Sequence, residues 1–162
     1  MDGLVIGLDL NDEYTQISCY GKEISWTIPT VICRKKEEEI WLTGEEAYAA
    51  TLLGEGVIVD KLLKMVQKEG TSTIGGVCYT GALLLRIFLQ QVLEYPLKEE
   101  GEKTVSQLVV TMQEMDARLT DTLRGCHGHF QRQGPCDQSH RKLCILCAEP
   151  ETGALVQSGR AV

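Results

Sequence analysis

Leu4-Val5-Ile6-Gly7-Leu8-Asp9-Leu10 decides the fold: an aliphatic run interrupted only by one glycine and one carboxylate. Such a run predicts a central strand buried on both faces. Asn11-Asp12-Glu13 follows as a turn, and Tyr14-Thr-Gln-Ile-Ser-Cys-Tyr20 is rich in β-formers, so the two runs predict a hairpin. Gly21-Lys22 makes the next turn. Short strands are expected at Glu23–Thr27, at Thr30–Arg34 beyond Pro29, and at Ile40–Leu42 beyond the charged tip Lys35–Glu39. The first forty residues thus read as one antiparallel meander.

Helices begin after it. Thr43 is placed to cap a helix through Leu53, with Glu45 and Glu46 in its first turn and Gly54 at its end. Val57–Val59 is a short apolar step before a second helix, Asp60 to about Lys68. Thr71–Tyr79 is β-prone but broken by Gly75-Gly76. Thr80 caps the longest helix, in which Leu84, Ile87, Phe88, Val92 and Tyr95 recur at helical spacing until Pro96 ends it. Val105–Thr111 is a further buried strand. Glu114–Leu123 is a helix that meets Gly125. Antiparallel strands first and a parallel strand later make an α/β arrangement, a mixed sheet with flanking helices.

Net charge is −7, which argues against a nucleic-acid partner or an anionic membrane surface. No basic-plus-apolar leader opens the chain, and no apolar run reaches the length of a membrane span, so no membrane insertion and a cytoplasmic location are expected. Cysteines there are free thiols more often than disulfides. Cys19, Cys33 and Cys78 lie in apolar or strand-like segments and read as small buried hydrophobes.

Three stretches, in this order, resemble one superfamily. Ile6-Gly-Leu-Asp9 with its hairpin resembles the first phosphate-binding strand of actin, hexokinase and seventy-kilodalton heat-shock ATPases. Leu42-Thr-Gly-Glu-Glu-Ala47, then Val59-Asp-Lys-Leu-Leu63, is similar to the chaperones' Gly-Glu-Glu-Ala segment and its following helix. Leu108-Val-Val-Thr-Met112 leading to Asp116–Leu123 resembles their next core strand and helix. The resemblance covers about residues 4–124, is nearest to an uncharacterised bacterial branch, and implies the N-terminal part of a ribonuclease-H-like, actin-like ATPase fold. It also implies a degenerate nucleotide and Mg²⁺ site. Asp9 stands where such ATPases keep the carboxylate that holds water on Mg²⁺, with Asn11 and Thr15 in the phosphate turn. Lys61 lies one residue from the chaperones' catalytic lysine, about 100° away on a helix, so a surface lysine is the plainer reading. Asp12 and Glu13 put negative charge where a triphosphate would lie. The second phosphate loop and the adenosine strand of the family are absent, so no catalysis and no cofactor are expected of this chain; ATP with Mg²⁺ belongs to an intact parent.

The text changes at Leu123–Gly125. Residues 125–162 hold all three histidines and four of the seven cysteines, without strand or helix period. Cys136, His140, Cys144 and Cys147 could supply four soft zinc ligands, with the Cys-x₂-Cys spacing at the last pair. The preferred reading is a frameshift. Back-translated with permissive codons and read one nucleotide later, Asp137 to Cys147 permits Ile-Ser-His-Thr-Glu-Ser-Phe-Val-Ser-Tyr-Val, similar to the superfamily's next strand and helix start. Residues 1–124 are therefore expected to be a partial actin-like or chaperone-like domain and residues 125–162 a disordered tail, leaving the strand at Val105–Thr111 as a sheet edge. The functional readings are a truncated nucleotide-binding fragment without turnover, a non-catalytic scaffold with protein partners or self-association, and a small zinc protein.

Overall fold

The computed structural model describes residues 3–101, 105–114, 116–131, 142–148 and 155–156. The opening run is strand β1 (Leu4–Leu10); it pairs antiparallel with β2 (Tyr14–Cys19), which pairs antiparallel with β3 (Ser25–Pro29). Side chains sort by the two-residue period of a strand. Leu4, Ile6, Leu8 and Leu10 are buried, whereas Val5 and Gly7 are half-buried and Asp9 is exposed. The strand is therefore core on one face only, not on both as its apolar run suggests.

The expected single meander is divided between two sheets. After Pro29 the chain leaves the first sheet, and β4 (Ile32–Lys35), β5 (Trp41–Thr43) and β6 (Gly56–Val59) form a second one in the order β5-β4-β6. Helix α1 (Gly44–Leu52) connects β5 to β6 and buries Ala47 and Ala50 against Val31 and Cys33. Thr43 holds its N-cap position but makes no side-chain capping bond. Next come α2 (Leu62–Gln67) and the hairpin of β7 (Thr71–Ile74) with β8 (Val77–Thr80). Gly75 and Gly76, at φ +58° and +79°, are the two-residue turn itself, since a tight hairpin turn of this hand needs positive φ at both positions.

Helix α3 (Gly81–Glu100) starts as expected, with the Leu83 N–H donating to the Thr80 hydroxyl at 3.2 Å. It does not stop at Pro96. A proline costs the helix one backbone bond, but here the ring is buried, Leu97 packs on the core, and the helix ends only at Gly101 in the left-handed conformation. Strand β9 (Val105–Met112) then returns parallel to β1. Asp116 caps α4 (Ala117–Gln131) by accepting from the Arg118 and Leu119 N–H groups.

Two expectations fail at this end. The last helix runs through Gly125 to Gln131, and β9 is interior. It is flanked by β10 (Lys142–Ala148) in parallel, with β11 (Leu155–Val156) antiparallel beyond. The order is β11-β10-β9-β1-β2-β3. Within residues 125–162, positions 132–141, 149–154 and 157–162 lie outside the described residues, so the expected disorder there is not addressed.

The main core lies on one face of the six-stranded sheet. Leu62, Leu63 and Val66 of α2, Leu84, Leu85, Phe88, Leu89, Val92 and Leu93 of α3, and Leu119, Leu123 and Cys126 of α4 meet the buried faces of β1, β2 and β9. A separate joint ties the small sheet to the β7–β8 hairpin. The Arg34 guanidinium donates to the Tyr79 hydroxyl and lies 5.9 Å and 5.8 Å from the Trp41 and Tyr79 ring centres. Those rings meet edge to face at 5.3 Å. Gln91 of α3 adds a donor to the Trp41 carbonyl at 2.9 Å.

Cys19 and Cys33 are buried as expected, but Cys78 is exposed, on a β7–β8 ribbon that has no third strand among the described residues. Burial pushes the Cys126 thiol up to about 11, against the opposing pull of Arg86. The folded state therefore prefers the neutral thiol. Its contribution is complete below the ordinary thiol value of 9.0 and is lost as pH rises toward 11. The melting temperature of the wild-type chain should fall more steeply between those limits than that of Cys126→Ala. Parallel curves would remove this role. At neutral pH, site-resolved maleimide labelling should modify Cys78 well before Cys19, Cys33 or Cys126.

Candidate functional site

Ligands of open α/β sheets sit outside the carboxyl ends of parallel strands. Here those ends belong to β1 and β9, and an open cleft of about 420 Å³ lies against them, lined among others by Asn11, Asp12, Glu13, Lys64, Gln67, Gln113 and Glu114. A second hollow of about 440 Å³ adjoins it on the α1 side, lined by Pro29, Val31, Glu45, Tyr48, Asp60 and Lys61 among others. Asp12, Glu13, Tyr14 and Lys64 line both. Carboxylates outnumber ammonium groups in each, so a polyphosphate would enter only with a cation beside it.

The four expected nucleotide-site residues do not converge. Asp9 is exposed on the sheet face opposite Leu8 and Leu10, and its Oδ1 accepts from the Thr111 hydroxyl at 3.2 Å, across the β1–β9 pairing. Asn11 builds the turn: its Oδ1 accepts from the Glu13 and Tyr14 N–H groups, both at 2.9 Å. Thr15 is fully buried, its hydroxyl 2.8 Å from that of Thr30. That location corrects the reading of Thr15 as a phosphate donor, since β2 turns this position into the core. Lys61 is exposed at the start of α2, with φ +51°, and lines the second hollow rather than the first.

Sequence reading missed what Asp12 does. Its carboxylate accepts from the N–H of Leu63 at 2.8 Å and of Lys64 at 3.2 Å, so it is a cap supplied from the β1–β2 turn to a helix fifty residues away. No local signal marks it, because capping patterns are sought within four residues of a helix start.

For zinc, Cys136 and His140 lie outside the described residues. Cys144 pairs with Val109 and Cys147 with Met112. Among the described residues, no three His, Cys, Asp or Glu side chains gather closely enough to hold a metal ion, and no helix is long and apolar enough to cross a membrane.

A family model described as a family of unknown function, DUF5716, C-terminal, matches residues 13–140, continuing past the change of text at Leu123–Gly125. No curated protein matches. Among solved structures, a non-polymerising MamK mutant bound to AMPPNP superposes with a TM-score of 0.61 at 14% identity, covering 80% of this chain and 38% of that one. The likeness supports an actin-like fold at the level of overall architecture, and the chain spans well under half of the solved protein.

Proposed function

The chain belongs to the DUF5716 C-terminal family, and from that premise we propose that it is one part of an actin-like nucleotide-binding fold that does not turn nucleotide over by itself. The observation that carries this reading is the cleft at the carboxyl ends of β1 and β9 within the order β10-β9-β1-β2-β3. In the superfamily that the sequence resembles, a nucleotide lies between two halves, and the MamK structure that this chain partly matches holds AMPPNP. Asp9 is the candidate Mg²⁺-water ligand, with Thr111 orienting it. Lys61 and Asn11 stand on the walls of the two hollows. A buried Thr15 and an acidic turn weigh toward weak binding, and so toward a scaffold that engages proteins or copies of itself in the cytoplasm.

Calorimetric titration of Mg-AMPPNP tests the reading. We expect no saturable binding to this 162-residue chain, and micromolar binding only to a longer version whose frame is corrected at Leu123–Cys126. Equal silence from both would favour the scaffold.

We further propose that the text from residue 125 onward is out of frame. The proposal rests on the change of text at Leu123–Gly125; the parallel pairing of β10 with β9 and the family match through residue 140 count for a genuine tail. Resequencing the codons for Leu123–Cys126 separates the two. An alternative frame that stays open for some two hundred codons supports the frameshift, and prompt stops in every other frame refute it.

A further inference from the structure

A sheet edge exposes unpaired backbone groups that can take up another strand, and natural folds cover or blunt such edges. Two edges of this molecule are managed in that way. β3 closes the large sheet and ends in Pro29. β5, one edge of the small sheet, gives its Trp41 carbonyl to the Gln91 side chain of α3. β6 is the opposite edge of the small sheet, and among the described residues β4 alone pairs with it. Its sequence, Gly56-Val-Ile-Val59, holds no charge and no proline. The Lys36 N–H donates to the Glu55 carbonyl at 2.9 Å, in line with the pairing of Arg34 with Val57 and Ile32 with Val59. Backbone groups alternate in direction along an antiparallel strand. Glu55, Val57 and Val59 therefore turn theirs to β4, and Gly56 and Ile58 turn theirs outward. Apolar side chains frame this open edge. Val57 is exposed on the face away from α1, since Ile58 packs with the α1 cluster and Val59 with the main core. Leu52 and Leu53, which precede β6 at the end of α1, are 87% and 73% exposed.

We propose that the β6 edge is a self-association surface whose occupant is a second copy of this chain, joined antiparallel about a twofold axis at Val57. In that register Gly56 of each copy faces Ile58 of the other, and every outward N–H and C=O of both strands finds a partner. Val57 meets its own counterpart in the closer, non-hydrogen-bonded kind of pair. The small sheets of the two copies then run on as one, β5-β4-β6 followed by β6-β4-β5. A short strand whose outward residues flank an exposed apolar centre is its own antiparallel complement, as an isologous contact requires. Electrostatics allow this register. Glu55 stands opposite Val59 and Asp60 opposite Gly54, so no two carboxylates face each other. One short strand makes a small contact, and the dimer is expected at the weak, reversible end of specific association. The contact gives the scaffold reading above its surface and rests on that reading for its role; it needs no nucleotide.

Sedimentation velocity on the full chain tests this, at about 0.3 M salt so that repulsion between two acidic copies is screened. Wild type should pass from monomer to dimer over tens of micromolar. Val57→Asp sets two carboxylates against each other across the axis and should weaken association about tenfold. Val77→Asp, the same change at an exposed valine of the β7–β8 ribbon, should match wild type. A second measurement decides the matter even where Val57→Asp does not fold. Non-hydrogen-bonded pairs hold their Cα atoms ~4.5 Å apart, within disulfide reach. Val57→Cys in a Cys78→Ser background should therefore give, on mild oxidation, a covalent dimer whose linked peptides map to position 57. Val77→Cys in the same background should not. A wild-type chain that stays monomeric at several hundred micromolar overturns the dimer, and a scaffold for other proteins survives that result. A dimer that Val57→Asp leaves intact, or that Val77→Asp weakens equally, overturns this surface while self-association stands. Saturable Mg-AMPPNP binding to the 162-residue chain would count against the scaffold reading and leave the dimer result untouched.

Discussion

Phe88→Ala is expected to abolish cooperative unfolding at room temperature. Phe88 is the largest of the fully buried side chains, and it sits on α3 between Leu84, Leu85, Leu89 and Val92, which face the buried residues of β1 and β9. Truncating a buried phenylalanine typically costs about 3–5 kcal/mol, part of it lost transfer energy and part the cavity left behind. Small domains hold only about 5–15 kcal/mol in total, so this loss consumes a large share of the reserve. The measurement is a thermal melt followed by circular dichroism in the far and near ultraviolet. Near-ultraviolet signal should vanish while some helical signal remains. A sharp transition within a few degrees of wild type would show that α3 is not the centre of the core.

Gly81→Ala should be among the more damaging single-methyl changes. A β-carbon at Gly81 would stand 2.7 Å from the Met65 carbonyl carbon and 2.8 Å from the Val66 nitrogen. Both are backbone atoms of α2, so neither can rotate away, and the start of α3 must move off α2. Overpacking of this kind costs about 1–3 kcal/mol, more than the roughly 1 kcal/mol that alanine gains over glycine in a helix. Gly125→Ala is the matching control: that glycine lies in α4 with no atom within 4 Å of its would-be β-carbon. It should stabilise by up to about 1 kcal/mol. Denaturant midpoints should therefore move in opposite directions for the two variants, and a stabilised Gly81→Ala would refute the close α2–α3 contact.

Where sequence patterns are local, they were legible. The β1–β2 hairpin follows from an apolar run, an Asn-led turn and a second β-prone run. The start of α3 follows from Thr80, and the strand β9 from the apolar, β-prone run Val105–Thr111. Where an outcome depends on a neighbour, the pattern misled. Pro96 reads as a terminator, yet buried packing beyond it carries α3 to Glu100. Gly75-Gly76 reads as an interruption, yet it is the turn that closes β7 onto β8. Cys78 reads as core, but it is exposed on a two-stranded ribbon.

The candidate site shows the same division. Asp9 at the end of the first strand, the Asn11 turn and a lysine near the start of the following helix can all be found by spacing and resemblance. Sequence by itself determined the broad class of fold, the order of its elements as far as α4 and the acidic character of the turn, because periodicity, turn chemistry and charge are properties of neighbouring residues. Only the tertiary structure decided that Thr15 faces the core, that Lys61 and Asn11 stand in different hollows, and that Asp12 closes the distance to Leu63 and Lys64. Those outcomes depend on which strand face meets the helices and on how close a turn comes to a helix end fifty residues later, and packing of the whole chain sets both.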